Sequence, residues 1–214
     1  MKIFLIRHAE SEQNVEIAFN TADSFVNITE NGIIQAQNCA EFLGNYVKEN
    51  NIDLSKSVML VSPHLRTKQT AEIINNKLNI KDFRFDNLLI ERRFGIFDNF
   101  TDKERKKFLK KYKLYNKYYT QTGKFYTQYP FGESVYDVML RLKMFINFTL
   151  EKLDKSIENV FIVSHGYAIS AFYMAYFNYL PEWLENKYKM QNCSVKLIED
   201  NTDFGFIYGS DLKI

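Results

Sequence analysis

The sequence predicts an α/β fold, a three-layer α/β/α sandwich around a mainly parallel sheet. Three observations carry that prediction. Short apolar runs at Ile3–Ile6, Val58–Val61 and Val160–Val163 read as buried strands. Each run is followed by apolar residues at helical spacing, and alternating strands and helices build a parallel sheet covered on both faces. The chain has 214 residues, 46% of them apolar, which suffices for a real core in a single domain spanning 1–214.

The elements follow in chain order. After the first strand, Thr29 is the expected N-cap of a helix whose apolar face carries Ile33, Ala36, Ala40, Leu43 and Val47. After the second strand, Thr67 to Leu78 places Ala71, Ile74 and Leu78 on one helical face. Glu133 to Leu153 reads as one long amphipathic helix through Val135, Val138, Leu142, Phe145, Ile146 and Leu150. After the third strand, Ala168 to Phe177 is apolar nearly all round and reads as a buried helix. Ser194–Ile198 and Phe204–Tyr208 are later strands. A helical insertion or lid occupies about 99–131.

Composition removes several function classes. Lys+Arg total 28 and Asp+Glu 26, so the chain is neither an acidic nor a basic tail protein. Between Thr101 and Lys124, nine basic residues face only Asp102 and Glu104, a local charge of +7. Tyrosines interleave with these lysines, so three readings stand for the segment: a solvated face, a lid attracting anionic substrates, and, least favoured, a nucleic-acid surface. Cys39 and Cys193 are too few for a disulfide scaffold and read as buried thiols in a reducing compartment. The longest apolar stretch, Tyr167 to Phe177, falls short of the roughly 18 residues that a membrane span needs. The N-terminus reaches Arg7 and His8 too soon for a signal peptide. The expectation is a soluble cytoplasmic protein.

The three histidines of the chain lie in Arg7-His8, Ser62-Pro63-His64-Leu65-Arg66 and Ser164-His165-Gly166. Each follows the C-terminal end of a predicted buried strand, the edge at which open α/β sheets bind ligands. Arginine offers a planar fork of donors that matches phosphate oxygens. Neutral imidazole is a competent nucleophile towards phosphorus. No Cys/His cluster has metal-ligand spacing, so the arginines would neutralise charge where a metal otherwise would. His64 reads as a pocket-rim or capping residue.

These segments resemble the histidine phosphatase superfamily, the phosphoglycerate mutase-like proteins. Arg7-His8-Ala9-Glu10-Ser11-Glu12-Gln13-Asn14 is similar to the family's Arg-His-Gly signature, with Ala9 where glycine is usual. Ile28-Thr29-Glu30-Asn31-Gly32, Ser62-Pro63 with Arg66-Thr67, Glu91 with Phe94-Gly95, Gly132-Glu133-Ser134 with Arg141, and Ser164-His165-Gly166 follow in family order. His-Gly after the last of these strands resembles the superfamily's first branch. Gly123-Lys124-Phe125-Tyr126, Tyr129-Pro130-Phe131 and Gln191-Asn192-Cys193 resemble a subgroup of small phosphatase-like members.

The resemblance implies a phosphoglycerate mutase-like fold and a phosphohistidine mechanism without metal or cofactor. His8 would attack phosphorus, while Arg7, Arg66 and His165 hold the equatorial oxygens. Glu91 would protonate the leaving alkoxide and then take a proton from water. Asn14, Gly166 and Tyr167 would contact substrate, the amide after Gly166 lying at a helix N-terminus. The expected activity is a metal-independent phosphomonoesterase acting on a small phosphorylated substrate or a phosphoprotein. A mutase is the alternative. A non-catalytic phospho-ligand module would be marked by loss of His8, Glu91 or an arginine, and all are present. A homodimer is left open.

Overall fold

In the computed structural model, residues 1–15, 25–98, 100, 102–111, 113–185, 189–209 and 211–212 are described. The elements in chain order are β1 (Lys2–Arg7), α1 (Glu30–Glu49), β2 (Ser57–Val61), α2 (Leu65–Leu78), β3 (Asp82–Phe85), α3 (Asp102–Lys111), α4 (Lys113–Tyr126), α5 (Val135–Phe148), β4 (Asn159–Ser164), α6 (Gly166–Phe177), α7 (Pro181–Glu185), β5 (Lys189–Met190), β6 (Val195–Glu199), β7 (Thr202–Tyr208) and β8 (Asp211–Leu212). Six strands form one sheet in the order β3-β2-β4-β1-β6-β7, and β5 pairs with β8 separately. The β3, β2, β4 and β1 strands run parallel, and β6 and β7 add an antiparallel edge.

Alternation along the buried strands divides the core into two. Ile3, Leu5, Val58, Leu60, Val160 and Ile162 face α5 and α6, where they meet Val138, Leu142, Phe145, Ile169 and Phe172. Phe4, Ile6, Met59, Val61, Phe161 and Val163 face α1 and α2, packing on Ala36, Leu43, Ala71 and Ile74. The period of two in a strand sends neighbours to opposite faces, so continuous apolar runs require cover on both. That is the three-layer arrangement.

The caps explain several boundaries. The Thr29 hydroxyl accepts from Gly32 N and starts α1, as the sequence predicts. Ser134 and Asp137 form a reciprocal capping box that starts α5 at Val135. The helix expected over Glu133–Leu153 is therefore shorter. It ends at Phe148, where the Thr149 hydroxyl turns aside to donate to Asp86, and a short 3₁₀ turn covers Leu150–Lys152. Strand β3 carries no clear apolar signal, because it is a half-exposed edge strand with charges at Asp82 and Arg84. Ala9 does not take a positive φ, so alanine in place of glycine costs no backbone strain there. Its methyl is fully buried in the cluster that contains Ala36 and Cys39.

The insertion comprises α3 and α4, with Gly123 breaking the helical backbone near the end of α4 at φ 74°. Phe97, Phe100 and Phe108 meet edge to face, and Phe97 also packs on Tyr129. Among the described residues, no helix is long and apolar enough to cross a membrane.

Candidate active site

Strands β1, β2 and β4 are adjacent and parallel, so their C-terminal ends lie side by side. Arg7 closes β1 and His8 follows it, His165 follows β4, and Arg66 lies in the first turn of α2 just after β2. All four side chains are buried, with His165 at 0% exposure and Arg66 at 1%. Burying two guanidiniums is costly, and their planar forks of donors suit an oxyanion.

His8 Nδ1 lies 2.7 Å from its own neighbour's carbonyl, Ala9 O. A carbonyl only accepts, so Nδ1 carries the proton and Nε2 keeps its lone pair. Burial holds the His8 imidazole well below the usual histidine range, and the charges of Arg66, Arg7 and His64 push it further down. His8 is therefore a neutral base with Nε2 available. The amide of Ala9 donates to the Thr70 hydroxyl, which donates in turn to Arg66 O, so the nucleophile loop is tied to α2.

His165 Nε2 lies 2.8 Å from the Ser62 hydroxyl. Its Nδ1 is buried and has no hydrogen-bond partner among the described residues. The ring sits 5.1 Å from that of His8 and 4.9 Å from that of His64. Burial, followed by the charges of Arg66, His8, His64 and Arg7, holds His165 well below its usual range. His64 takes the N-cap position of α2 but makes no side-chain cap, and its buried ring joins this cluster instead. His64 thus stands at the expected capping position, and its ring lies beside His165 so that the three histidines adjoin one another.

The Arg7 guanidinium donates through one Nη to Met190 O, and its Nε has no hydrogen-bond partner among the described residues. A Cβ added at Gly166 would stand 3.7 Å from that Nε. Burial lowers the Arg7 pKa, opposed by the nearby charges of Glu91 and Cys193.

Glu91 sits at the N-terminus of α6. Its Oε1 accepts from Arg92 N and Ala168 N, and Oε2 accepts from Tyr167 N at 3.3 Å. A carboxylate is favoured where a helix leaves its first amides unpaired. The Tyr167 amide, expected to contact substrate, is thus directed at Glu91. The guanidiniums of Arg92 and Arg93 are directed elsewhere. Arg92 donates to Glu133 O and Thr127 O beneath the rings of Phe94, Tyr129 and Tyr167, and Arg93 pairs with Glu133. Arg141 forks onto Glu133 and also holds Leu88 O and Ile90 O, while the Ser164 hydroxyl holds Leu89 O. These bonds fix the approach to Glu91.

Asn14 stands in an exposed turn, its Oδ1 accepting from Ser11 N, Ser11 Oγ and Asn192 Nδ2. Sequence reading missed Ser62, Thr70 and Asn192 as parts of this site. Ser62 opens the second motif and Thr70 lies in the helix that follows, so both are within reach of it. Asn192 comes from a distant loop, and the resemblance that marks Gln191-Asn192-Cys193 gives it no role. Among the described residues, no group of three or more His, Cys, Asp or Glu is arranged to hold a metal ion. A buried imidazole lone pair, two arginines and a second imidazole can bind a phosphoryl group and form a bond to it.

Comparison with known proteins agrees with this geometry. A curated relative, phosphoglycerate mutase-like protein AT74 of Arabidopsis thaliana, is 30% identical over 92% of this chain, which spans 64% of that protein's length. The probable phosphoglycerate mutase GpmB of Salmonella choleraesuis is 29% identical over 93% of this chain and 85% of its own. Among solved structures, a mycobacterial glucosyl-3-phosphoglycerate phosphatase superposes with a TM-score of 0.74 at 20% identity, covering 92% of this chain and 88% of that one. The alpha-ribazole phosphatase of Shigella flexneri superposes with a TM-score of 0.76 at 19% identity, covering 100% and 99%. The model of the histidine phosphatase superfamily, branch 1, matches residues 3–207, and with the rings of His8 and His165 in edge contact beside the buried Arg7 and Arg66, the chain belongs to that family.

Proposed function

We propose that the protein is a metal-independent phosphatase that hydrolyses a phosphate monoester through phosphohistidine at His8. One observation carries the reading. His8 has its Nδ1 hydrogen committed to Ala9 O, and burial beside Arg66 and Arg7 keeps it neutral. Nε2 is therefore a ready nucleophile at neutral pH.

In the first half-reaction, His8 Nε2 bonds to phosphorus as the ester P–O bond breaks. Glu91 enters the cycle as the carboxylic acid, passes its Oε2 proton to the departing alkoxide and is left as the carboxylate. In the second, Glu91 takes a proton from water, the water oxygen bonds to phosphorus and the P–N bond breaks. Inorganic phosphate leaves, and both residues return to their starting states. Arg7, Arg66 and His165 Nδ1 stabilise the equatorial oxygens throughout, and donors already in place cost no reorganisation when charge develops. Asn14 adds a further donor. The substrate is a small phosphorylated molecule or a phosphoprotein. The two buried thiols, Cys39 and Cys193, fit a reducing compartment, the cytoplasm.

Mutase chemistry is the second reading, favoured by the names of the curated relatives and by the lysine-rich insertion. A mutase needs cations for a second phosphate near the acid. Arg92, the cation next to Glu91, instead spends donors on Thr127 O and Glu133 O, which supports hydrolysis.

The test is turnover of p-nitrophenyl phosphate with rapid quenching at neutral pH. The expected adduct is phosphohistidine at position 8, with activity retained in chelator and inhibited by vanadate. His8→Ala with full activity, or a chelator-sensitive activity restored by a divalent metal, would overturn the mechanism.

A further inference from the structure

We propose that Asn192 is a positioning residue: it sets the Asn14 carboxamide against His8, so that Asn14 presents its amide hydrogens to the phosphoryl group. The inference rests on the reading of Asn14 as a phosphate donor.

Asn192 Nδ2 donates to His8 O at 2.9 Å and to Asn14 Oδ1 at 3.1 Å. An amide nitrogen has two hydrogens, so both are spent. The orientation is forced at each end. His8 O can only accept, so the nitrogen of Asn192 must face it. Ser11 N can only donate, and it lies 3.1 Å from the Asn14 oxygen. Oδ1 of Asn14 therefore points into this network, and Nδ2 is the end of the side chain left to offer hydrogens.

Ser11, within the same turn, also donates to the Asn14 side chain through its amide and its hydroxyl. These bonds fix Asn14 relative to that turn alone. Asn192 is the one side chain among the described residues that refers it to the nucleophile. The loop that carries Asn192 is itself held firmly. Cys193, at φ 56°, donates its amide to Arg7 O at 3.1 Å, and Arg7 N donates to Ser194 O at 3.2 Å. Oriented groups lose effect steeply with small misplacements, on the order of a hundredfold for about 1 Å.

The test is a double-mutant cycle on the full chain: Asn14→Ala, Asn192→Ala and both together, with His8→Ala alongside. The readouts are kcat/KM for p-nitrophenyl phosphate, the vanadate inhibition constant and the melting midpoint. Asn192→Ala should lower kcat/KM about tenfold in the parent, a loss of the size that misplacing one group produces. In the Asn14→Ala background it should cost less than about twofold, because the group it positions is gone. Vanadate affinity should follow the same pattern. An equal factor in both backgrounds would make Asn192 a brace of the loop only and overturn the inference. Asn14→Ala at parent activity, with His8→Ala inactive, would also overturn it while leaving the phosphohistidine reading intact. An active His8→Ala would instead remove that reading. Asn192→Asp keeps the shape without the donors and serves the same cycle if Asn192→Ala fails to fold. Failure of both to fold would assign Asn192 to the architecture and overturn the positioning role.

Discussion

The phosphate pocket and the α3–α4 insertion are built on opposite principles. In the pocket, charged side chains are buried and their backbone is pinned between strands. Arg7 N and O both bond the 193–194 loop, and His8 N bonds Ser164 O. In the insertion, Lys106, Lys107, Lys110 and Lys111 are exposed, and ring contacts through Phe108 fasten it to Phe97 and Phe100. Buried side chains whose backbone is pinned between strands hold one geometry, whereas exposed lysine side chains sample many. Arg92 is the joint between them. It follows Glu91 in the chain, yet its guanidinium grips Thr127 O and Glu133 O at the far end of the insertion.

The comparison breaks most sharply at Glu91. If this carboxyl serves the leaving group, Glu91→Gln should slow alkyl phosphates by on the order of a hundredfold or more. Aryl phosphates, whose leaving groups need little help, should lose about tenfold or less. Equal losses on both, measured as kcat/KM for a matched ester pair, would make Glu91 a helix cap alone.

Arg92→Leu tests the joint. The substitution strands two buried carbonyls and removes a cation from three rings, so stability should fall by about 2–4 kcal/mol. For a domain of this size that is a drop of very roughly 5–15 °C in the melting midpoint. A midpoint within a degree or two of the parent would show that the insertion and the acid segment are not coupled through this residue.

The pH dependence probes the pocket alone. His8 and His165 are both held below the usual histidine value by burial and by neighbouring cations. An unfolded chain binds protons to these residues below pH of about 6.5, while the folded chain does not. Their contribution to stability is therefore complete above that pH and is lost as pH falls towards their folded values. Denaturant midpoints should decline on acidification through this window, and less so in His165→Gln. The acid limb of kcat/KM, corrected for the second ionisation of the substrate near pH 6, should lie below the ordinary histidine value. An acid limb at or above about 6.5 would contradict the neutral nucleophile.

The smallest effect belongs to the insertion. Replacing Lys106, Lys107, Lys110 and Lys111 with Gln should raise KM for multiply charged phosphates a few-fold and flatten its salt dependence, with kcat nearly unchanged. An unchanged KM and salt slope would make the insertion a solvated surface. A collapse of kcat would place a lysine on the transferring group and favour the mutase reading.

What the sequence reveals follows the same division. Arg7, His8, Arg66 and His165 are legible because each lies within a residue or a turn of a buried apolar strand, so local pattern fixes where the backbone delivers them. Glu91 stands in a segment without regular periodicity, and only resemblance separates it from the other acidic residues. The ring of His64 is not legible, because an N-cap position states where the backbone is and not whether the side chain turns inwards. Asn192 is illegible for another reason: its partners, His8 and Asn14, lie almost the whole chain away. Strand β3 escapes notice because an edge strand with one half-wet face needs no apolar run.

The place of β1 in the sheet has a consequence for synthesis. Its entire apolar run is buried between β4 on one side and β6 on the other. Both partners leave the ribosome long after it. At about 5–20 residues per second, β1 waits on the order of ten seconds for β4 and longer for β6. During that time a nascent chain carries the unpaired apolar run Ile3–Ile6 next to the future nucleophile. Trigger-type or Hsp70-type holding of this segment, or slow decoding before Asn159, would alter the yield of folded protein without changing a single contact in the finished molecule.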